Sequence, residues 1–498
     1  MSVSRREFLK IGGAAGGAAL LGAAGVTWAS PTAQDTAQID EVYHLVNRIT
    51  WGVRSEMLAH AREIGYEAFL DEQLAPETID DSAMDAILAT MPVQSMNRHD
   101  LHALIGGNGR AWQALIVGMV QRAVHSERQL YERVVEFWLD HFNISSEELA
   151  PDILLYNREV VRRYALGNFR DLMMRTTSSP AMLVYLDNYI NVAEHPNENY
   201  ARELLELHTL GVDGGYTEKD VREIARAFTG WTTSDAIPDG FIFDSSQHDT
   251  AEKYVLGHTL PEGRGIEDGL HVLSILNEHP STARFLCTKL IRRFVSDVPP
   301  ESLIDSAAQV WIDNAGEIRP VLRHIFTSSE FRASANQKLR RPLEYFIAAM
   351  RATGTEFTEF WGMAALLEDL AQVPYGWVPP DGYPDVAGAW MNTGGLLARW
   401  NTAVMLTHEA TSDINYNTLR SHLYDQIVWP KTVGEMVDAV ADAVFGDHNI
   451  LSAEVRSVYI AFASDDQGEE TAVTNHMMAT KYATLFGLML SSPQFQWR

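Results

Sequence analysis

Cysteine is almost missing from this sequence. Its 498 residues contain only Cys287, so no intramolecular disulfide can form, and a paired-cysteine metal or redox motif is excluded. Cys287 lies in the predicted helix Ser281–Phe294, which predicts a small, buried, apolar residue.

Positive charge is also scarce. The chain has 39 Lys and Arg residues against 66 Asp and Glu residues, which gives a net charge of -27. Such an acidic protein repels the phosphates of nucleic acids and of anionic lipid head groups, so neither is expected as a partner. The simplest explanation of the negative charge is that it keeps an exported protein soluble.

Long apolar runs and familiar catalytic motifs are missing as well. Beyond residue 29, no stretch reaches the ~20 apolar residues of a spanning helix without charges, so we predict no integral membrane segment in the mature chain. The metalloprotease HExxH, the hydrolase GxSxG turn, the Walker phosphate loop and the EF-hand loop are all absent from the sequence. Candidate site residues must therefore be sought outside these motifs.

The N-terminus carries the layout of a twin-arginine export signal. Arg5 and Arg6 precede a Gly- and Ala-rich apolar run from Ile11 to Val26, and small residues predict cleavage after Ala29. The alternative is a membrane anchor that is never cleaved. Cleavage places the mature protein in the periplasm or outside the cell. Because this route carries folded proteins, many of them with a cofactor, a bound divalent transition metal is one expectation.

Helical periodicity recurs along the chain and predicts an all-α fold, either one large multi-helix domain or two packed lobes. Between residues 232 and 269 Gly, Pro, Asp and Ser interrupt this pattern, and Gly240–Phe243 and Tyr254–Leu256 are predicted as short strands of a small hairpin. The predicted organisation is a signal at 1–29, a tail at 30–41, a helical domain at 42–410 and C-terminal helices at 411–498 packed on the same domain.

Several sequence blocks resemble those of a known bacterial family, named domain of unknown function 1800. The blocks are Asn197–Thr217 with Thr229–Trp231, His44–Arg48 with Trp51 and Gly52, Phe137 and Trp138 with His141 and Phe142, His248 and Asp249 with Lys253, His279–Ala283, and Pro380–Pro384. The resemblance implies an exported, mostly helical bacterial protein without an established activity. It also implies a sulfatase-like protein, encoded by a neighbouring gene, as a partner.

One position departs from the family pattern. The family often reads Phe-Trp-His-x-His-Phe in the second block, and the first of these histidines is Leu139 here. If the two histidines bind a metal in other members, this chain lacks one ligand.

Two histidines are predicted to point inward from amphipathic helices. His141 lies on the apolar face of Glu127–Phe142, and His208 lies on the apolar face of Asn199–Leu210. With His248 and Asp249 they form a candidate ligand set for zinc, iron or manganese. The alternative is that each histidine is a core residue that hydrogen-bonds to a carbonyl or carboxylate.

Two glutamates and a lysine are the candidate catalytic groups. Glu203 and Glu206 lie one helical turn apart, and paired carboxylates can perform acid–base chemistry. The alternative is a solvated face on which Arg202 pairs with Glu206. A regular helix would place Glu203 and His208 about 140° apart, which argues against a shared ion. Lys253, in the irregular region, is the third candidate. The alternative is that it forms an ordinary exposed ion pair with Asp249.

Aromatic residues cluster in the proline-rich stretch Val373–Ala387. Trp377, Asp381 and Tyr383 are candidate substrate-binding residues, because exposed aromatic rings stack on sugars. The alternative is that the rings hold the loop against the core. Together these residues predict an exported enzyme with a metal-assisted, hydrolytic site. The other class of function is a non-catalytic partner or scaffold for the sulfatase-like protein or for a surface polysaccharide.

Overall fold

The computed structural model describes residues 39–498 except 105–106, 146, 358, 408–418, 421–422 and 424–427. The predicted signal at 1–29 and residues 30–38 of the predicted tail lie outside this described part.

Helices account for most of the described residues, as predicted for an all-α protein. In the first half of the chain the α-helices are Glu41–Ile49, Ser55–Ile64, Tyr66–Leu74, Ser82–Ala89, Arg98–Ala103, Gly107–His125, Gln129–His141, Ala150–Leu155, Arg162–Tyr164, Phe169–Thr177, Pro180–Tyr185, Asn199–Glu203 and Glu218–Ala227. In the second half they are Glu267–Glu278, Pro280–Phe294, Glu301–Asp313, Ile318–Thr327, Ser329–Arg332, Pro342–Thr353, Phe360–Asp369, Ala387–Trp390, Thr393–Thr407, Val433–Phe445, Ala453–Ser464, Asn475–Met477, Ala483–Leu490 and Pro493–Gln496.

Local chemistry sets several of these ends. Thr217 and Asp220 form the predicted capping box, in which each side chain accepts from the backbone N–H of the other residue. Gly65, at φ 88°, separates the two predicted helices that end at Ile64 and begin at Tyr66. This backbone conformation favours glycine because a side chain would be strained there.

Three helical stretches contain π-helical turns, at Tyr156–Val161, Leu204–Thr209 and Met478–Tyr482. A π-turn closes its hydrogen bonds at i+5 and often marks a functional site. Periodicity predicted regular helices through the first two of these regions, so the local geometry of both was missed.

The irregular region near 232–269 contains two hairpins. Trp231–Thr233 pairs antiparallel with Phe241–Phe243, and Lys253–Val255 pairs antiparallel with His258–Leu260. Each of the two predicted strands therefore has its own partner, and they do not form one hairpin. A third short pair joins Glu356–Phe357 to Leu419–Arg420.

One hydrophobic core runs through the described chain, from Tyr43 near its start to Phe495 near its end. The Tyr43 hydroxyl donates to the carbonyl of Phe445 at 2.9 Å, and the Arg48 guanidinium donates to the carbonyl of Arg498 at 2.7 Å. The C-terminal helices thus pack on the same core as the N-terminal ones. No described helix combines the length and apolarity needed to cross a bilayer.

Candidate functional site

A helix with a π-turn carries three of the predicted site residues. Its α-helical part, Asn199–Glu203, continues as the π-turn Leu204–Thr209, where the N–H of Leu210 donates to the carbonyl of Leu205. Each residue of a π-turn advances by less than the 100° of a regular helix. The argument that separated Glu203 from His208 by 140° therefore does not hold here. Glu203 and Glu206 are partly exposed, whereas His208 is buried.

The loop at 373–390 is held by residues of neighbouring elements, and the charge of its Asp381 acts on Glu203 of this helix. The Asn143 amide donates to the carbonyls of Trp377 and Pro379, both at 2.7 Å, and the Tyr185 hydroxyl donates to the carbonyl of Val378. Gly382, at φ 76°, passes so close to the backbone of Asp140 that a Cβ atom would collide with it. These contacts bring the predicted substrate-binding residues to the same region as the predicted catalytic glutamates.

Three carboxylates share this region. Burial raises the pKa of Glu203, and the charges of Glu206 and Asp381 raise it further, while Arg202 acts in the opposite direction. The Trp377 indole donates to Asp381 at 2.8 Å and orients that carboxylate. We call Glu203, Glu206 and Asp381 the acidic cluster.

Arg202 does not neutralise the acidic cluster fully. Its guanidinium donates to Glu218 at 2.9 and 2.8 Å and to Glu198 at 3.3 Å. The predicted pair with Glu206 also exists, at the longer distance of 3.6 Å. Glu203 has no such ion pair among the described residues.

Two tyrosines beside the acidic cluster have no counterpart in the sequence prediction. Burial raises the pKa of Tyr185 to about 12, and the charges of Asp381 and Glu203 act in the same direction. Tyr216 lies beside Glu206, and burial together with a hydrogen bond to this glutamate raises its pKa to about 12. Tyr185 lies outside the sequence blocks of the family resemblance, and Tyr216 lies within one without a predicted role, so their position beside the cluster is visible only in the three-dimensional structure.

His141 and His208 lie in an aromatic layer near this loop. Their ring centroids are 6.0 Å apart, and Phe142 packs against both rings at 4.5 and 5.0 Å. The Nε2 of His141 is 3.2 Å from the carbonyl of His208, so it carries the proton of that hydrogen bond. The remaining buried nitrogens, Nδ1 of His141 and Nε2 of His208, have no hydrogen-bond partner. We call these two residues the imidazole pair.

The imidazole pair is held neutral. Burial is the main cause, and it combines with the nearby Lys289 ammonium to lower the pKa of His208 to about 3 and that of His141 well below its usual range. Burial likewise lowers the pKa of Lys289 to about 8.

His248, Asp249 and Lys253 form a different cluster, beside the hairpins. The Lys253 ammonium donates to Asp268 at 2.8 Å, to the carbonyl of Ala251 at 3.0 Å and to the carbonyl of Asp249. His248 bonds the carbonyl of Thr229 at 2.8 Å and faces Asp268 at 3.5 Å. The Asp249 carboxylate is held by Arg226 at 2.7 Å. We call this cluster the hairpin clamp.

The structure therefore does not assemble the four predicted metal ligands. His248 and Asp249 belong to the hairpin clamp. There Nδ1 of His248 and the Asp249 carboxylate have partners, and Nε2 of His248 faces Asp268 at 3.5 Å. Within the described ranges, the one group of three ligand residues with all ligand atoms within 4.8 Å is Asp442, Asp447 and His448. There His448 pairs with Asp442 at 2.9 Å and Arg62 pairs with Asp447 at 2.7 Å.

Leu139 faces away from the imidazole pair. It lines a cavity under the loop, together with Asp140, Asn143 and Tyr383. The volume of this cavity is about 30 Å³. This volume holds about two water molecules and is too small for a substrate. Residues two apart on a helix point roughly 200° apart. A histidine at position 139 would therefore not share an ion with His141.

Part of the aromatic cluster holds the loop together, as the alternative interpretation expected. The Tyr383 hydroxyl donates to the carbonyl of Val373 at 2.9 Å, and the Trp390 indole donates to the carbonyl of Pro384 at 3.0 Å. The ring of Tyr383 packs between those of Trp377 and Trp390, at 5.0 and 6.0 Å. Trp377 remains partly exposed and Asp381 is exposed.

Buried ion pairs anchor the end of this loop. Arg293 pairs with Asp385 on the loop and with Glu136 and Asp140 on the helix Gln129–His141. Burial works to raise the pKa of Asp385, but Arg293, Lys338 and Arg341 hold it well below its usual range. Arg293 and Asp385 are 92 residues apart in the chain. Sequence reasoning missed this network because its partners share no local pattern.

Fold and site together define an all-α protein with an acidic cluster between a π-turn helix and a proline-rich loop. The chain belongs to the family described as Protein of unknown function (DUF1800), whose family model matches residues 44–497. Residues 2–22 match the twin-arginine translocation signal, so this is an exported protein of the periplasm or the cell exterior. No curated protein and no solved structure matches the chain.

Proposed function

We propose that the protein is an exported hydrolase in which Glu203 transfers the proton at the reacting bond. The observation that carries this proposal is the acidic cluster. Glu203 is partly buried, lacks an ion pair within the described structure, and lies in the field of Glu206 and Asp381. A carboxyl group whose pKa is raised in this way can remain protonated at higher pH and act as a general acid.

The charge of the cluster restricts the substrate. Three carboxylates that are only partly balanced by Arg202 repel phosphorylated, sulfated or carboxylated substrates. A neutral glycan satisfies this restriction, and a pair of carboxylates is the usual machinery for cleaving glycosidic bonds. Trp377 lies at the edge of the cluster, where its partly exposed ring can pack against a sugar.

The other predicted residues take different roles in this proposal. Lys253 directs its ammonium to three acceptors in the hairpin clamp, which supports a structural role. Asp381 would serve as the second carboxylate, and the negative charge of Glu206 would help to keep the pKa of Glu203 raised. Of the predicted metal ligands, only the imidazole pair is retained as a candidate, and the proposed hydrolytic step does not use it. The partner or scaffold function, including the sulfatase-like partner, stays a prediction.

Release of nitrophenol from a panel of neutral 4-nitrophenyl glycosides tests the proposal. We expect the purified exported protein to cleave at least one member, and Glu203→Gln to reduce kcat by about 10²–10⁴-fold, as for loss of a general acid. Glu194→Gln is the matched control, because Glu194 is 85 % exposed and lies outside the cluster. Activity should fall as the pH rises above the pKa of Glu203.

A second measurement does not depend on the choice of substrate. Infrared titration of the wild type minus Glu203→Gln reports the protonation of this one carboxyl group. A band that titrates above the usual glutamate range supports the proposal. An ordinary pKa for Glu203, or a Glu203→Gln variant that cleaves as fast as the wild type, would overturn it.

A further inference from the structure

The imidazole pair leaves two buried nitrogen lone pairs or protons unsatisfied, which is costly in a folded protein. Both residues are 1 % exposed, and Nδ1 of His141 and Nε2 of His208 have no partner. We propose that these two nitrogens bind a single copper ion in its monovalent state, at a site separate from the acidic cluster. This inference is independent of the hydrolytic proposal.

The hydrogen bond of His141 supports a ligand role for its other nitrogen. Its Nε2 donates to the carbonyl of His208, which leaves the Nδ1 lone pair free. Histidines that bind metals usually donate their second ring N–H to a carbonyl or carboxylate in this manner, because it fixes the ring orientation and the tautomer. His141 therefore has the arrangement of a metal ligand.

The separation of the two rings also suits a shared ion. With metal–nitrogen bonds of about 2 Å and a ring radius of about 1.2 Å, two imidazoles on opposite sides of an ion have centroids roughly 6.4 Å apart. The observed distance between the ring centroids is 6.0 Å. The observed separation is thus about 0.4 Å shorter than the one expected for a shared ion.

The residues around the imidazole pair restrict the charge and the coordination number of an ion that could bind there. Phe142, Trp138 and Phe285 pack against His141, at ring distances of 4.5, 5.4 and 6.4 Å. The Lys289 ammonium lies over the Phe285 ring, 5.7 Å from its centroid, and adds positive charge. Within the described residues, no carboxylate joins the pair to complete a three-ligand group.

These features disfavour zinc and favour copper. Zinc is almost always four-coordinate in proteins and carries two charges, whereas the site offers two neutral nitrogens next to a cation. Imidazole is a good ligand for copper, and a monovalent ion suffers half the repulsion from Lys289. Two-coordinate binding by nitrogen is an ordinary geometry for the cuprous ion.

Competition with bicinchoninate under anaerobic, reducing conditions tests the site, since this chelator forms a coloured complex with cuprous ion. We expect the wild-type protein to remove one equivalent of copper from the chelator. His208→Gln should bind at least roughly a hundredfold more weakly, because loss of even an outer partner of a ligand costs 10–100-fold. His195→Gln, at a residue 84 % exposed, is the matched control and should bind as the wild type does.

Lys289→Leu tests the same site without altering a proposed ligand and without adding a sulfur atom that could bind copper. Removal of its positive charge should tighten cuprous binding roughly tenfold, and this variant guards against the case in which His208→Gln fails to fold. X-ray absorption of the loaded protein should show two nitrogen neighbours and no sulfur. Unchanged binding in His208→Gln, weaker binding in Lys289→Leu, or methionine sulfur in the absorption spectrum of the wild type would overturn the proposal. Because hydrolysis is assigned to Glu203, loss of copper binding would leave the glycoside assay unaffected.

Discussion

The imidazole pair and the hairpin clamp look alike in the sequence and differ in the structure. Each contains buried histidine near a lysine, and His141, His208, His248 and Asp249 were predicted to form one metal site. In the hairpin clamp, Lys253 and Asp249 have a protein partner for each charged group. In the imidazole pair, two ring nitrogens lack partners, and the Lys289 ammonium lies over the Phe285 ring and not against a carboxylate. Among the described residues, Nε2 of His248 also lacks a hydrogen bond, but it faces the Asp268 carboxylate at 3.5 Å. The difference between the clusters therefore lies in their charged groups: a paired lysine indicates a structural role, and two unpartnered nitrogens beside a lysine that lies over an aromatic ring leave space for a ligand.

The two buried lysines provide the strongest test of this comparison. Lys253→Met removes the cation from the buried Asp268 carboxylate, which should lower the free energy of unfolding by about 3–5 kcal/mol. Lys289→Met removes no ion pair and should change it by about 1 kcal/mol or less. Chemical denaturation of both variants measures the difference. Equal losses in the two variants would mean that the clusters do not differ in this way.

Copper should stabilise the protein through one cluster only. At a free cuprous concentration 100 times the Kd, the folded state gains about 2.7 kcal/mol, which raises Tm. His208→Gln should abolish this increment. His248→Gln should retain it, although disruption of the hairpin clamp lowers the starting Tm. If copper no longer raised the Tm of His248→Gln, the ion would bind at the hairpin clamp and the comparison would be refuted.

The sequence was a good guide wherever structure depends on near neighbours. Helical periodicity and the glycine at 65 predicted Ser55–Ile64 and Tyr66–Leu74 to the residue, and the capping box at Thr217 predicted the start of its helix. Cys287 is buried, as its helical pattern indicated. These features arise from interactions within one or two turns of chain.

Features that depend on distant contacts could not be predicted in the same way. The π-turn Leu204–Thr209 has the composition of a regular amphipathic helix, so its altered rotation is invisible to periodicity. The approach of Asp381 to Glu203 depends on a loop held by Asn143 and by Arg293, far away in sequence. A histidine in the sequence also does not show whether its ring nitrogens have hydrogen-bond partners. For this reason, residues of two separate clusters were predicted to be ligands of one metal.

Asp249 provides a smaller test on the side of the hairpin clamp. Arg226 holds it as a carboxylate, and although burial acts the other way, hydrogen bonds to Arg226 and to Ala251 lower its pKa. A lowered pKa means that the stabilisation is present at neutral pH and is lost as the pH falls through the folded-state pKa. Asp249→Asn should therefore cost about 1 kcal/mol at pH 7 and progressively less in acid. Denaturation of both proteins between pH 7 and pH 3 measures this, and a cost that grows in acid would contradict it.

Glu203 should show the opposite dependence, with the smallest effect on stability. Its folded-state pKa is raised, so the folded protein binds this proton more tightly than the unfolded chain does. Stability is then highest below the ordinary pKa of glutamate and declines as the pH rises through the folded-state value. Glu203→Gln removes the charge from the acidic cluster, so at pH 8 the variant should melt slightly above the wild type, and the difference should vanish in acid. Paired melting curves against Glu194→Gln measure this sign. A stabilising mutation that also abolishes hydrolysis would identify Glu203 as a residue kept for chemistry at the expense of stability. A destabilised Glu203→Gln at pH 8 would instead place it with Asp249, among the carboxylates that hold the fold together.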